Sequence, residues 1–402
     1  MNEDPGTVVV TAIGVVSPYG LGLRPMADGL LAGHCCLGPL RGVSPGFEAT
    51  AAEIGCLPPL EDLRDMRPSR TDQLAILAAR DAAANSGLGG RALRDAAVVM
   101  ATTVSGLTEL DPALVRDPLA WYRAGGLARA GSYPFSHVAE AVGECLGAHG
   151  PRFAVNVACA SGAVAIALGA NLLLDRAVPV ALVGGSDALC PFTLSGFHAL
   201  QALDAAPCRP FDRNRGGLNL GEGAAVLALE TLAAARNRGA PIFAVLRGWA
   251  LTNDAFHPTA PHERGRGLAE CMTLAMERAG VAPDDIGYVN AHGTGTPLND
   301  VAETRAYEGA FGKRARPVPV SSTKSYMGHC LGAAGAIEAA IAISAIRAGA
   351  LYPTLRLSEP VETSSVDWLT GQPRRQPLPL AMTVSAGFGG SNAALVFGEY
   401  SE

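Results

Sequence analysis

The sequence predicts an α/β protein built from two similar βαβ-rich halves, residues 1–240 and 241–402. Three observations carry this. Apolar strand-like runs alternate with Ala- and Leu-rich helical stretches along the chain. Five of these elements recur in the same order after about Pro241. The strands are near-continuous apolar runs, which need helices on both faces of a sheet. At 402 residues and 49% hydrophobic, the chain is long enough to bury a large core.

In order, Thr7–Ala12 is a strand that breaks at Ser17-Pro18-Tyr19-Gly20. Met26–Ala32 reads as a helix, and Gly33 to Pro59 as loop. Arg70–Ser86 is an Ala-rich helix, followed by the strand Ala96–Met100. Trp121–Ser136, of mixed polarity and punctuated by glycine, is expected to be an irregular surface excursion. The strand Arg152–Val157 leads through Cys159 into the helix Ala163–Leu174. Val180–Val183 is a strand ending at Gly184-Gly185, and Gly223–Glu230 is another.

In the second half, Ile242–Trp249 answers the first strand and Gly267–Ala279 the helix 70–86. Ile286–Ala291 answers 96–100, and Val318–Ser322 with Gly332–Arg347 answers the Cys159 strand and helix. Met382–Ser385 and Ala393–Phe397 close the series. Loops at equivalent strand ends can then converge on one site.

Charged residues are only 17% of the chain and the net charge is −6, which argues against non-specific nucleic-acid binding. Nine cysteines without a C-x-x-C pair argue against a disulfide framework or zinc site and for a reducing cytoplasm. The acidic start Met1-Asn2-Glu3-Asp4 runs directly into a strand, so no signal peptide is expected. Val157–Leu174 and Leu331–Ala350 are apolar, but Asn171, Glu338 and Arg347 within them fit buried helices better than membrane spans.

Three loops hold residues capable of chemistry. Cys159 sits on a turn of small residues before a helix, whose positive end is expected to favour a thiolate. Asn290–Pro297 places His292 at a strand end in a Gly/Thr-rich turn, and Ser321–His329 sets Lys324 and His329 ahead of a helix. Each has a plainer reading. Cys159 alone fits a packed core thiol, His329 a cap, and His292 with Asp300 a structural pair. No third ligand at metal-binding spacing accompanies the two histidines, and Gly293-Thr294-Gly295 lacks the rest of a P-loop. His34, His137, His149, His198, His257 and His262 read as structural or surface residues. Together, one cysteine and two histidines form a working set for thioester chemistry.

Val157–Gly162, Asn290–Thr296 and Ser321–His329 followed by Leu331–Gly335 resemble the three signatures of β-ketoacyl-acyl carrier protein synthases. The likeness runs from Val8 to Phe397 and includes Pro210–Arg213, Gly221–Ala224 and Gly387–Gly390. It implies a thiolase-like fold, a tandem duplication layered α-β-α-β-α. It also implies decarboxylative condensation, with an acyl chain carried on Cys159 and a malonyl-carrier as the second substrate. His292 and His329 would steady the enolate oxygen, and the N–H groups of Cys159 and Phe388 would form an oxyanion hole. Lys324 and Glu338 match charged residues that organise the site. Thr294, Thr296 and Thr259 match hydroxyls toward the phosphopantetheine arm, and Phe388 matches a gating phenylalanine. Val104 and Phe197 match the acyl channel, where ordinary core packing is the competing reading. Ala386 departs from an aromatic residue common in the family.

Two histidines set the chain apart from starter-type synthases, which use histidine and asparagine. Cys159 sets it apart from non-catalytic chain-length-factor subunits, and no cysteine matches the second one that thiolases use, Cys330 directly after His329 reading as packing. The wording of Gly217–Gly223 and His292–Asp300 looks more like polyene-type type II polyketide synthases than housekeeping fatty-acid enzymes. The former pair with a chain length factor; the latter are homodimers. The resemblance implies no permanently bound cofactor, no metal and no membrane or nucleic-acid partner, with substrates delivered on an acyl carrier protein. An acidic carrier needs a basic patch on a net-negative chain. Arg64, Arg67 and Arg70, at three-residue spacing, are expected along one helical face, with solvated surface arginines as the other reading.

Overall fold

The computed structural model describes residues 6–60, 62–63, 67–109, 114, 116–312, 314–362 and 366–401. The first half's principal elements are β1 (Val8–Ser17), α1 (Leu23–Leu31), α2 (Arg70–Ser86), β2 (Ala97–Ala101), α3 (Ser136–Leu146), β3 (Arg152–Val155), α4 (Ser161–Leu174), β4 (Ala181–Asp187), α5 (Pro191–Ala199) and β5 (Gly223–Thr231). The second half follows with β6 (Ala244–Asn253), α6 (Arg266–Ala279), β7 (Tyr288–Asn290), α7 (Pro297–Phe311), β8 (Val318–Ser321), α8 (Ala334–Ala348), β9 (Val366–Trp368), β10 (Leu380–Gly387) and β11 (Ser391–Gly398).

The main sheet runs β9-β8-β7-β10-β11-β6-β1-β5-β4-β2-β3. Its centre is a short antiparallel join of Val8–Val10 with Ala244–Leu246. Outward from there the halves repeat strand for strand as far as β3 and β8, and β9 extends the second half by one further parallel strand. β1–β5 and β5–β4 are antiparallel, while β4–β2 and β2–β3 are parallel. β6–β11 and β11–β10 are likewise antiparallel, while β10–β7 and β7–β8 are parallel.

The helices form three layers. α2 and α3 share a core with one face of the first-half strands, and α6 and α7 with one face of the second-half strands. α4 and α8 lie between the two sets of strands in the largest core. Apolar around most of their circumference, with Glu338 of α8 buried, they suit such a central layer. Leu331–Ala348 is long and apolar enough to cross a bilayer, yet 89% of it is buried inside the protein. α2 shows how local chemistry sets a boundary: Ser69 Oγ accepts from Asp72 N–H while the Asp72 carboxylate accepts from Ser69 N–H, and Gly87 closes the helix at φ 63°.

Three expectations need correction. Gly184-Gly185 does not end a strand but lies inside β4. A Cβ at Gly185 would meet the Gly332 carbonyl at 2.9 Å, so the glycine admits the lead-in to α8. The 121–136 excursion contains helical turns at Pro118–Arg123 and Gly126–Arg129. Helices α3, α5 and α7 were not anticipated. α7 hides its pattern because Asp300, Glu303 and Thr304 are buried along with its apolar residues.

Candidate active site

The ends of β3, β7, β8 and β10 deliver Cys159, His292, His329 and Phe388 toward one place. Cys159, His292 and His329 all line a cavity of about 340 Å³. Cys159 is 8% exposed and follows Ala158, a non-glycine residue at φ 49°. Such a residue costs about 1–3 kcal/mol and persists only when braced. Here Ser161 Oγ accepts from Val157 N–H at 2.7 Å and donates to the Ala158 carbonyl. Gly387 backs the turn; a Cβ there would lie 3.2 Å from the Cys159 nitrogen.

The helix end does not make Cys159 a thiolate, contrary to expectation. Burial pushes its thiol up to about 12, outweighing the opposing pull of Lys324. α4 begins two residues later, with the Ser161 N–H already donated to the Ala158 carbonyl. The Cys159 side chain therefore rests as a thiol.

The two imidazoles stand edge to face, with ring centroids 5.3 Å apart at 85°. His329 Nδ1 accepts from Leu331 N–H at 3.2 Å, which puts its proton on Nε2. Among the described residues, that buried Nε2 has no protein partner. His292 Nδ1 lies 3.5 Å from Lys324 Nζ, a donor, so its proton also belongs on Nε2. Burial, reinforced by Lys324, holds both histidines well below the usual range, so both are neutral N–H donors. Lys324 forms a buried ion pair with Glu338, whose carboxyl burial raises to about 7 despite the lysine.

This has a consequence for stability. The native histidines bind protons less readily than their unfolded forms, whose pKa is near 6.5. Their contribution is complete above that value and lost as pH falls below it. Glu303 and Glu338, both raised to about 7 by burial, act in the opposite direction. The test is therefore a difference: thermal unfolding of His329→Gln is expected to depend less on pH between about 6.5 and 5 than that of wild type. Parallel curves would contradict neutral burial of His329.

Other expected residues fall in different places. Thr294, Thr296, Thr259, Phe197, Phe388 and Ala386 line the same cavity. Thr294 and Thr296 hydroxyls are 2.9 Å apart, and the Phe197 and Phe388 rings 5.8 Å apart. Val104 is not in the lining but sits in an adjoining cluster with Leu189, Leu194 and Leu331. The arginine row is overturned as a helical face. Arg64 lies outside the described residues. Arg67 precedes the Ser69 cap and so is not helical. Arg70 is held by the Glu222 carboxylate at 2.6 and 2.9 Å and by the Ile54 carbonyl.

The contacts of Glu303, Asp187 and the Asn219 backbone carbonyl escaped the sequence reading, and Asp300 acts differently from the pairing expected for it. Glu303 accepts from His292 N–H and Gly293 N–H at 2.8 and 2.7 Å, and Asp300 from the Thr294 and Gly295 N–H groups. Asp300 thus holds the loop's backbone rather than the His292 ring. Asp187 accepts from Thr102, Thr103 and Val104 and from Gly332 N–H at 2.7 Å, tying the first half to the lead-in of α8. Asn219 takes the His329 N–H on its carbonyl at 2.8 Å. The signal for Asp300 and Glu303 was their i, i+3 spacing directly after the Gly/Thr loop. Glu303→Ala strands two backbone donors and the Tyr307 hydroxyl. It is expected to lower the unfolding free energy by about 3 kcal/mol in denaturant titration.

Residues 6–235 match the family model "Beta-ketoacyl synthase, N-terminal domain", and residues 243–358 match "Beta-ketoacyl synthase, C-terminal domain". The chain is 37% identical to the tetracenomycin polyketide synthase ketoacyl synthase alpha subunit of Streptomyces glaucescens, covering 98% of this chain and 97% of that one. It is 34% identical to 3-oxoacyl-[acyl-carrier-protein] synthase 2 of Synechocystis sp., covering 99% of each. Among solved structures, the ishigamide ketosynthase/chain length factor superposes with a TM-score of 0.88 at 31% identity, over 98% of this chain and 99% of that one.

Proposed function

The chain belongs to the β-ketoacyl synthase family, and from that premise we propose that it extends an acyl chain through Cys159, with His292 and His329 driving decarboxylation of a malonyl-carrier. The observation that carries this is the convergence of one buried thiol and two neutral imidazole N–H donors in a single cavity. In this reading the nucleophile belongs to residues 1–240 and both histidines to 241–402.

In the first half-reaction the Cys159 sulfur attacks the thioester carbonyl of an acyl chain on the carrier's phosphopantetheine arm. The C–S bond to the arm breaks, and the cysteine proton leaves on the freed arm thiol. The N–H groups of Cys159 and Phe388 hold the transient oxyanion. In the second, a malonyl thioester loses CO₂, and the electron pair left behind forms an enolate. Its oxygen accepts hydrogen bonds from Nε2–H of His292 and His329. The enolate carbon attacks the Cys159 thioester, expelling the thiolate, which takes up a proton. The product is a 3-oxoacyl chain two carbons longer. Neutral donors suit this task, because they stabilise the enolate without a cation that would equally hold the malonyl carboxylate.

Thr294 and Thr296, with Thr259, are assigned to the arm. Thr294→Val combined with Thr296→Val is expected to raise KM for malonyl-carrier about tenfold with little change in kcat. An unchanged KM would remove them from the arm's path.

The pathway we favour is type II polyketide elongation over fatty-acid elongation, supported by the 37% identity to the tetracenomycin subunit, and its polyene type rests on the wording of Gly217–Gly223 and His292–Asp300. The partners proposed are an acyl carrier protein and a chain length factor. A partner face is open: β3 is the edge of the sheet, with Phe153 exposed, and Leu119, Tyr122 and Leu127 are exposed on the preceding helical turns. Supplying acyl-carrier and malonyl-carrier together and weighing the product tests the function. A 3-oxoacyl carrier with one CO₂ released per chain is expected; acyl transfer without condensation would overturn it.

A further inference from the structure

His329 serves as an Nε2–H donor only while Leu331 N–H stays on its Nδ1. Leu331 offers that N–H from a left-handed backbone, φ 49°, which a residue with a branched side chain leaves unless it is held there. The near side of the turn is held by main-chain bonds. His329 N–H donates to the Asn219 carbonyl, and Gly221 N–H donates to the His329 carbonyl. On the far side the next N–H along, that of Gly332, donates to a side chain, Asp187 Oδ2, at 2.7 Å.

Asp187 ends β4 and is fully buried. Its carboxylate accepts from the Thr102 and Thr103 hydroxyls at 2.6 and 2.7 Å, and from the Thr103 and Val104 N–H groups at 2.9 Å each. These bonds fix the carboxylate to the first half of the chain, and Gly332 N–H reaches it from the second. A Cβ on Gly332 would lie 2.8 Å from Asp187 Oδ2 and 3.1 Å from Thr103 Cγ2. Its φ is not in the left-handed region, so glycine stands here for the close approach and not for backbone freedom.

We propose that Asp187 is a positioning residue for decarboxylation: through Gly332 N–H it holds Leu331 N–H on His329 Nδ1, and so aims Nε2–H at the developing enolate oxygen. This rests on the role of His329 proposed above. Released from Asp187, Leu331 relaxes toward negative φ and its N–H swings off Nδ1. The ring is then free to turn or to take the other tautomer.

The test is a double-mutant cycle read as CO₂ release from malonyl-carrier. Asp187→Asn keeps the shape of the side chain but turns the acceptor-only carboxylate into an amide. Alone it is expected to lower kcat about 10–100-fold, with KM little changed. In a His329→Ala background the same change is expected to cost less than about twofold, because the ring it positions is gone. In protein carrying isotopically labelled histidine, the nitrogen resonance of His329 Nδ1, identified by its loss in His329→Ala, is expected to move toward the protonated position in Asp187→Asn. Gly332→Ala pushes the N–H away without removing the carboxylate and is expected to give the same pattern; it carries the cycle should Asp187→Asn not fold. Equal losses with and without His329, no loss in either variant, or an unmoved Nδ1 resonance would each overturn the positioning role. Undiminished CO₂ release by His329→Ala alone would instead overturn the role of His329 on which it rests.

Discussion

Replacing Cys159 with alanine is expected to abolish acyl-enzyme formation, so that intact mass stays unchanged after incubation with acyl-carrier. The change replaces the thiol by a hydrogen and little else: Cys159 is a small buried side chain, and the braces of its turn belong to Ser161, Val157 and Ala158. The variant should therefore fold, and its unaltered thermal unfolding would separate loss of the nucleophile from loss of structure. Acyl uptake by the variant at the wild-type rate would make another group the nucleophile.

The second large effect concerns His329. His329→Ala is expected to reduce CO₂ release from malonyl-carrier by about 10²–10³-fold, the usual loss when a preorganised donor to a developing oxyanion is removed. Acylation of Cys159 should persist, since no step of that half-reaction uses the imidazole. The split between half-reactions is the discriminating feature. A structural defect from stranding Leu331 N–H, which His329 Nδ1 now accepts, would depress both. Normal CO₂ release would refute the role.

The sequence carried most of the architecture because its strands are apolar runs and its central helices are Ala-rich with few charged residues. The repeat of β1 to β5 in β6 to β11 was readable from element order alone. Two kinds of feature were not. Helix α7 mixes buried Asp300 and Glu303 with its apolar residues, so no polar face marks it. The state of Cys159 follows from how completely other segments cover it, and neighbours distant in sequence leave no local trace. The same holds for Arg70, whose spacing looked like a surface row until Glu222, 152 positions away, took its guanidinium. The candidate loops were legible because Cys159 and His292 stand just past strand ends among small residues, while His329 follows the short helical turn Lys324–Met327 after β8. The residues that fix them, Glu303, Asp300, Asp187 and Asn219, act through backbone N–H and C=O groups that sequence pattern does not display.

The central claim is that the growing chain resides on Cys159 while the extender loses CO₂. It is tested most directly by a single turnover with an isotopically labelled acyl-carrier, followed by digestion and mass spectrometry. The account predicts the label on the peptide containing Cys159. On addition of malonyl-carrier, that label should leave the peptide and appear on the carrier as a 3-oxoacyl chain two carbons longer. Label on any of the eight other cysteines among the nine in the chain, or label that stays on Cys159 while CO₂ is released, would contradict it.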